Sequence, residues 1–413
     1  MRTSFLPFSP PSIGEEEIAE VVDTLRSDWI TTGPKVKRFE QEFAAAVNAP
    51  AALAVNSCTA ALHVALAALN LGPGDAVITT PMTFCSTVHV IEHVGARPVL
   101  VDVEPATLNL DPQRVRDAVD ALNGGRKPGP VKAILPVHLY GHPCNMDALL
   151  AIASDYGLAV VEDAAHALPA RYRGRTVGAL AEDSPVPVLT AFSFYATKNL
   201  TTAEGGMLTG NSELLERARV WSLHGMSRDA WKRYSSEGTA HYEVVCPGFK
   251  YNMTDIQAAM GLHQLRKLPG FHRRRREIAA RYHRAFGEIA ELEIPAEQPG
   301  VEHAWHLYVL RLHLEKLTLS RDGFLAEMHA RNIGTSVHFI PIHLHAYYRD
   351  KYSYSPEDFP VAYGHYQRLL SLPCSPRMQD QDVEDVIAAV LAVVEKAGRR
   401  PSAKPFACAA LSS

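Results

Sequence analysis

The stretch Ala191 to Gly206, AFSFYATKNLTTAEGG, places a single lysine behind an apolar run. Val188 to Phe194 reads as a strand that delivers Lys198 into a turn closed by threonines and a Glu-Gly-Gly. A desolvated lysine gives up its proton easily, and its free amine condenses with a carbonyl. Most lysines after strands are surface residues, but two features lift this one above that reading. Ser193 stands five residues ahead of it, and a second apolar run, Leu158 to Glu162, leads to Asp163, 35 residues upstream. An amine, a hydroxyl and a buried carboxylate meet three demands of pyridoxal phosphate. These are a Schiff-base partner, a phosphate donor and an anion opposite the pyridine nitrogen.

Other residues add to this set. Asn56-Ser57-Cys58-Thr59-Ala60 lies between a strand and a helix. Amides at a helix start can hold a phosphate, although Ser57 or Thr59 equally suits an ordinary N-cap. Phe84 follows a strand and a proline, where a ring either stacks on a flat cofactor or packs into the core. His166, three residues past Asp163, is placed to bond a cofactor oxygen or to orient that carboxylate. Of Glu162 and Asp163, one faces the site, because strand side chains alternate. His303, His306, His338, His343 and His345 have no diagnostic metal spacing and no cysteine among them, so substrate contact or packing is preferred to a metal centre. At least half of Arg273 to Arg276 reads as a solvated helix face, with one or two members free to meet a pyrophosphate.

The elements that must position these residues alternate. Helices are expected over Glu15–Arg26, with Ile18, Val21, Val22 and Leu25 on one apolar face, and over Pro34–Val47. Strands and helices then alternate through Ala52–Val55, Thr59–Leu69, Ala76–Thr79, Val88–His93, Pro98–Val103, Pro112–Leu122, Lys132–Val137, Asp147–Tyr156 and Leu158–Glu162. This is the pattern of an α/β domain around a mostly parallel sheet. Two helices, Thr254–Leu268 and Phe271–Phe286, lead away from it. Strands His306–Leu312 and Gly334–Phe339, with helices Asp322–Arg331 and Asp382–Lys396, build a smaller α+β domain. The expected division is residues 1–268, 269–400 and a fraying tail over 401–413. Asn123 to Pro130, NGGRKPGP, reads as a flexible loop.

Composition bounds the answer. A chain of 413 residues suggests two domains, and 47% hydrophobic with 21% charged residues fits a globular soluble protein. A net charge of −4 offers no basic footprint for nucleic acid. Six scattered cysteines without a CxxC read as free thiols of a reducing cytosol. The N-terminus has no apolar signal core, and the most apolar window, Ala51 to Leu69, is interrupted by Asn56, Ser57, Thr59 and His63, so no membrane span is expected and the cytoplasm is the expected location. GxGxxG, GxxxxGK[ST] and HExxH are all missing, which argues against dinucleotide, P-loop and zincin chemistry.

Six ordered motifs carry a resemblance: WITTGP (Trp29 to Pro34), NSCTAALH (Asn56 to His63), EDAAHA (Glu162 to Ala167), SFYATKNLTTAEGG (Ser193 to Gly206), GFKYNMTDIQAA (Gly248 to Ala259) and GTSVHF (Gly334 to Phe339). From about Phe5 to Lys396 the chain resembles sugar-nucleotide aminotransferases of the DegT/StrS type, a branch of the fold-type-I pyridoxal-phosphate enzymes. The resemblance implies that fold, with a smaller α+β C-terminal domain. It implies that Lys198 forms the Schiff base and shuttles the proton, that Asp163 pairs with the pyridinium, that His166 sits near the ring and that Phe84 stacks on it. The backbone at Thr59 and Ala60 and the Ser193 hydroxyl would hold the phosphate. Asn252 would reach the phosphate of a neighbouring subunit, making a homodimer with shared sites, and His338 would lie near the substrate. The implied reaction moves an amino group from glutamate, leaving 2-oxoglutarate, to a keto carbon of a nucleotide-linked sugar. EDAAHA and WITTGP most resemble enzymes acting at the 4-keto position of UDP-sugars for surface polysaccharides such as lipopolysaccharide. Tyr195 departs from the histidine frequent at that position in such relatives. A dehydratase on the same fold would replace the lysine with histidine, which the presence of Lys198 opposes. A non-catalytic sugar-nucleotide sensor would keep only the fold, and the full cofactor set opposes that.

Overall fold

A computed structural model describes residues 2–124, 129–179, 185–226 and 243–398. The centre of the loop expected at Asn123 to Pro130, the tail over 401–413 and Cys408 lie outside the described residues. In chain order the first part holds α1 (Glu15–Arg26), α2 (Pro34–Val47), β1 (Ala52–Val55), α3 (Cys58–Ala68), β2 (Ala76–Thr79), α4 (Ser86–His93), β3 (Arg97–Leu100), α5 (Pro112–Asn123), β4 (Val131–Ile134), α6 (Met146–Tyr156) and β5 (Ala159–Asp163). A short hairpin, β6 (Arg171–Tyr172) and β7 (Arg175–Thr176), precedes β8 (Val188–Ser193), β9 (Gly206–Gly210) and α7 (Ser212–Ser222).

Seven strands form one sheet in the order β1-β9-β8-β5-β4-β2-β3. β8, β5, β4, β2 and β3 pair in parallel, whereas β9 runs antiparallel to both β8 and β1. Strand pleating divides the side chains between two helical layers. Val161, Leu189, Ala191 and Leu208 pack with α3 and α7, while Val160, Val188 and Phe192 face the layer of α2, α5, α6 and the long helix that follows. The C-terminal ends of β1, β2, β5 and β8 therefore open on one edge of the sheet, where ligands collect in such folds. β9 begins at that same edge with Gly206. A Cβ added there would stand 2.4 Å from the Ser57 carbonyl, so glycine is what lets the strand start press against the turn before α3.

The second part is built on α8 (Asp255–Phe286), β10 (Leu292–Glu293), β11 (Val301–Glu302), β12 (Tyr308–Leu312), α9 (Arg321–Ala330), α10 (Ala346–Tyr352), α11 (Pro360–Tyr366), β13 (Leu369–Leu372) and α12 (Asp380–Ala397). β10-β12-β13 make a small antiparallel sheet, and β11 joins the β6-β7 hairpin.

Three expectations are corrected. The two helices expected on either side of Pro269 are one, α8. An internal proline costs about 3 kcal/mol relative to alanine. Here Leu262, Leu265 and Leu268 are held in the first core, and Ile278, Tyr282 and Phe286 in the second, so burial at both ends overrides the break. The division expected at 268/269 falls inside this helix, and Leu6 packs in the second core. Gly334–Phe339 is not a strand: Ile333 bridges Leu6 and Ser336 bridges Ser371, so two different partners prevent a continuous ladder. On α1 the expected apolar face is not buried, its two ends being exposed and Val21 and Val22 half-buried. Ile18 is 49% and Leu25 58% exposed, and the helix instead buries Glu17 and Thr24. Glu17 accepts hydrogen bonds from Lys267 (2.7 Å), Gln264 (2.8 Å) and the Gly14 amide (2.9 Å), so a polar contact with α8 decides the rotation of α1.

The N-termini of α2 and α8 meet at a buried carboxylate. Asp255 accepts from the amides of Gly33 (2.9 Å), Lys35 (3.1 Å) and Val36 (2.9 Å). Three bonds to one charged acceptor near a helix N-terminus are among the stronger polar contacts a fold makes. Asp255→Ala would leave three donors unpaired, the buried Val36 amide and the half-buried Gly33 and Lys35 amides, a loss of about 3 kcal/mol. We expect the apparent melting temperature at fixed scan rate to fall by roughly 3 °C. An unchanged melt would show that these bonds do not hold the two helices.

Candidate active site

A cavity of about 540 Å³ opens at the C-terminal edge of the large sheet. Ser57, Cys58, Thr59, Thr83, Phe84, Asp163, His166, Ser193 and Lys198 contribute to its wall from the sheet side. Phe8 and Ser9 close it from the N-terminal segment, and His306, Leu307, His338 and Phe339 close it from the second part of the chain.

Lys198 sits in a loop whose two ends are tied together. The Phe194 amide donates to Gly205 (2.9 Å), the Thr202 amide to Phe194 (3.0 Å) and the Thr201 hydroxyl to Phe194 (3.1 Å). The Thr202 hydroxyl and the Gln257 amide both donate to the Glu204 carbonyl, at 2.7 and 2.8 Å. The two threonines and the glycines that follow the lysine thus fix its approach to the cavity. Burial pushes the amine down to about 8. Cys58 as thiolate and Asp163 would draw it back up, but burial raises the Cys58 thiol well above its ordinary value, so Asp163 is the charge that acts at neutral pH.

Asp163 ends β5 and is buried. The Thr87 hydroxyl donates to Oδ2 (2.8 Å), with Thr83 behind it at 2.7 Å, and the Ala165 amide donates to Oδ1 (3.1 Å). Burial pushes this carboxyl up, while those donors, Lys198 and His138 pull it down. Glu162 points to the opposite face, where Oε2 meets His138 Nε2 at 2.7 Å and Oε1 accepts from Thr190 at 3.3 Å. Pleating alone separates the two acids.

The phosphate-type end is the start of α3. Its first amides have no partner within the helix. Ser57 Oγ accepts from the Ala60 amide (3.1 Å), so Ser57 is the N-cap, and the Cys58 and Thr59 amides carry no intrahelical bond. Ala60 itself is buried and lies outside the cavity wall, its amide committed to Ser57. Ser193 lies on the wall and its hydroxyl weakly accepts from the Tyr195 amide at 3.4 Å. Phe84, 58% exposed, keeps a ring face free at the cavity and stands 6.0 Å from Phe339. His166 stacks on Phe339 at 5.6 Å. His338 Nδ1 meets Ser371 Oγ at 2.8 Å, and burial first and Lys198 second lower its pKa to about 4.

Asn252 does not reach this chain's cavity. Its amide donates to Thr32 Oγ1 (2.7 Å) and its carbonyl accepts from Lys250 (2.5 Å). In the arginine run, Arg275 is buried and donates to the carbonyls of Trp305, His306 and Cys374, and Arg274 meets Met378 and Asp380. Two of the four are therefore structural ties, which leaves Arg273 and Arg276 as the half expected on a solvated face. Phe8, Ser9, Glu204, Leu307 and Phe339 are wall residues that local sequence reading did not single out, while His306 belongs to the histidines expected in substrate contact or packing; the NSCTAALH and SFYATKNLTTAEGG motifs point to the cofactor end, and nothing local marks an N-terminal phenylalanine as a cavity wall.

These residues fit pyridoxal phosphate. The wall offers a lysine amine, a buried carboxylate with one protein donor on each oxygen, free amides at a helix start beside a serine hydroxyl, and an open aromatic face.

The profile of the DegT/DnrJ/EryC1/StrS aminotransferase family matches residues 11–391, and the chain belongs to that family. It is 52% identical to the spore coat polysaccharide biosynthesis protein SpsC of Bacillus subtilis, over 96% of this chain and 99% of that one. Among solved structures it is similar to the putative sugar aminotransferase Spr1654 of Streptococcus pneumoniae in its PMP form, with TM-score 0.85, 35% identity and coverage of 95% and 99%; the PLP form matches equally in TM-score. It is also similar to Helicobacter pylori PseC, an aminotransferase of pseudoaminic acid biosynthesis, with TM-score 0.85, 27% identity and coverage of 95% and 100%. The chain is a pyridoxal-phosphate-dependent sugar aminotransferase with the fold-type-I architecture.

Two outcomes follow from the geometry. Asp163→Asn keeps the shape and removes the charge, and we expect transamination to slow on the order of a hundredfold, about 3 kcal/mol of barrier. Glu162→Gln can still accept from His138 and should stay within a few-fold. Steady-state rates that reversed this order would refute the assignment. Because the Lys198 pKa is lowered to about 8, its neutral, reactive form grows as pH rises toward that value. Cofactor capture by the apo-protein should accelerate by roughly tenfold per pH unit below 8 and level off above it, as stopped-flow absorbance would show. A rate flat from pH 6 to 9 would contradict the lowered pKa.

Proposed function

We propose that this aminotransferase moves an amino group from glutamate to the keto carbon of a nucleotide-linked sugar, in the cytoplasm, as a homodimer with shared sites. The observation that carries the reading is the wall opposite the cofactor residues: Phe8, His306, Leu307, His338 and Phe339 leave room beyond Lys198 in a cavity of about 540 Å³. Polar imidazoles and flat rings suit a sugar, which offers hydroxyls at its edge and an apolar face.

Bound pyridoxal phosphate supplies the electron sink and carries the amino group between the two substrates. Lys198 Nζ, with its lowered pKa, takes up and returns the proton at the reacting carbon. Asp163, on its two donors, holds a proton on the ring nitrogen. The α3 amides and Ser193 would hold the phosphate, and Phe84 and His166, also on the cavity wall, would contact the ring. The 4-keto position of a UDP-sugar is supported by EDAAHA and WITTGP, and a surface-polysaccharide product by the likeness to SpsC. A dehydratase reading is opposed by a lysine inside the cavity, and a sensor reading by the complete set around it.

Two features support the shared site. Asn252 stands outside its own chain's cavity. Beside it, the unburied apolar face of α1 continues through the exposed Trp29 and Ile30 to Thr32, the partner of Asn252. A second copy covering that face would bring the Asn252 region to its own cavity. The five described cysteines are unpaired, in keeping with a reducing compartment, and no described helix is long and apolar enough to cross a membrane.

The direct test offers nucleotide-linked 4-keto and 3-keto sugars with glutamate and identifies the product by mass and NMR. A 4-amino product from a UDP-sugar is expected, and a dehydrated product would replace this reading with the dehydratase. Lys198→Ala should abolish transamination and borohydride fixation of the cofactor. Mixed with Asn252→Ala subunits, it should recover up to about a quarter of wild-type activity, since half the dimers are mixed and each carries one complete site. No recovery, with mixed dimers shown to form, would refute a shared site.

A further inference from the structure

Two cavity histidines, His166 and His306, lie with ring centroids 4.5 Å apart, and their outer bonds fix opposite tautomers. For His166 the Tyr140 amide donates to Nδ1 at 3.2 Å, so that nitrogen is bare and Nε2 carries the hydrogen. For His306 the neighbour is Asn199, next to Lys198 in the chain. The Asn199 Nδ2 group donates to the carbonyls of Leu168 (2.8 Å) and Ala304 (3.0 Å). Two carbonyl acceptors leave the side chain one orientation, with Oδ1 toward His306 Nδ1 at 3.2 Å. An amide oxygen only accepts, so His306 Nδ1 carries the hydrogen. Burial first, then His166, Lys198 and Arg275, keep the ring neutral. His306 Nε2 is therefore a bare lone pair, and no hydrogen-bond donor meets it among the described residues.

The ring is also held still. The Arg275 guanidinium donates to the carbonyls of Trp305 (3.3 Å) and His306 (3.2 Å). The Ala304 amide donates to Gly141 (2.9 Å) and the Leu307 amide to Tyr140 (3.2 Å), so the turn that sets His166 also anchors the segment carrying His306. Gly141 has φ +103°, and an added Cβ would stand 2.9 Å from the His166 carbonyl and 3.2 Å from the His306 amide, so only glycine allows this junction.

We propose that His306 is a specificity-determining residue whose Nε2 accepts a hydrogen bond from a hydroxyl of the keto-sugar. This rests on the sugar-transferring reading above. A fixed acceptor left unpaired in a buried site is costly, so a sugar with a hydroxyl there is preferred to its deoxy counterpart. Asn199, which contacts His306 and not the cavity, is the positioning residue.

Two measurements decide it. In the cofactor-loaded protein carrying ¹⁵N-histidine, with the His306→Gln variant giving the assignment, His306 should show a protonated Nδ1 and a bare Nε2 throughout pH 6.5 to 9. A protonated Nε2 or an imidazolium would overturn the proposal. In kinetics, His306→Phe should leave the visible spectrum unchanged and its bleaching by glutamate within about twofold, yet raise KM for a UDP-linked 4-keto-6-deoxyhexose about tenfold, the worth of one hydrogen bond. His306→Gln, which keeps an acceptor, should recover most of that loss. Equal slowing of both half-reactions, or no change in KM, would refute the role. Wild-type protein that accepts no nucleotide keto-sugar would overturn the substrate reading and the hydroxyl with it, while the NMR result would stand or fall separately.

Discussion

The structure turns on holding one easily deprotonated amine beside one carboxylate. Burial alone would drive both Lys198 and Asp163 toward their uncharged forms, and each charge would pull the other back. The balance is set by hydrogen bonds that reach one partner and not the other. Asp163 has Thr87 and Ala165 as donors, which favour its anion. Lys198 has a loop closed by backbone and threonine bonds that place it without solvating it. A poised nucleophile and a fixed anion follow from that asymmetry.

The same logic governs the histidines. His166, His306 and His338 are all pushed toward the neutral form by burial and by the lysine. Neutral imidazoles repel neither a cationic ring nor an incoming sugar, and each presents one donor or one acceptor according to its outer partner. His138, behind them, accepts the Cys144 amide on Nδ1 at 3.0 Å, so its Nε2–H faces Glu162.

The cavity exists because the chain crosses between its two cores more than once. α8 spans both, Leu6 returns to the second, and Phe8 lies on the wall between them. Glu92 on α4 accepts from Lys351 (2.9 Å) and Tyr352 (2.7 Å), which fastens α10 to the layer that holds Thr87. Docking of the second part therefore bears on the support of Asp163.

What the sequence by itself determined is the half of the site carried on contiguous motifs. Apolar runs ending in Asp163 and Ser193, a lysine before paired threonines and glycines, and a capped turn before α3 are local patterns with local physical causes. The alternation of Glu162 and Asp163 followed from the period of a strand. Tertiary structure decided the rest. Which face α1 buries depended on Glu17 meeting Lys267 and Gln264 some 250 residues away, not on its apolar stripe. Pro269 stayed helical because two separate cores grip α8, and Gly334–Phe339 lost its ladder because its bridges go to different partners. The sugar-facing wall, from Phe8 to His306 and Phe339, is assembled from segments hundreds of residues apart. Their side chains carry no shared periodicity, so only packing brings them to one cavity and only long-range hydrogen bonds fix which ring nitrogen faces it.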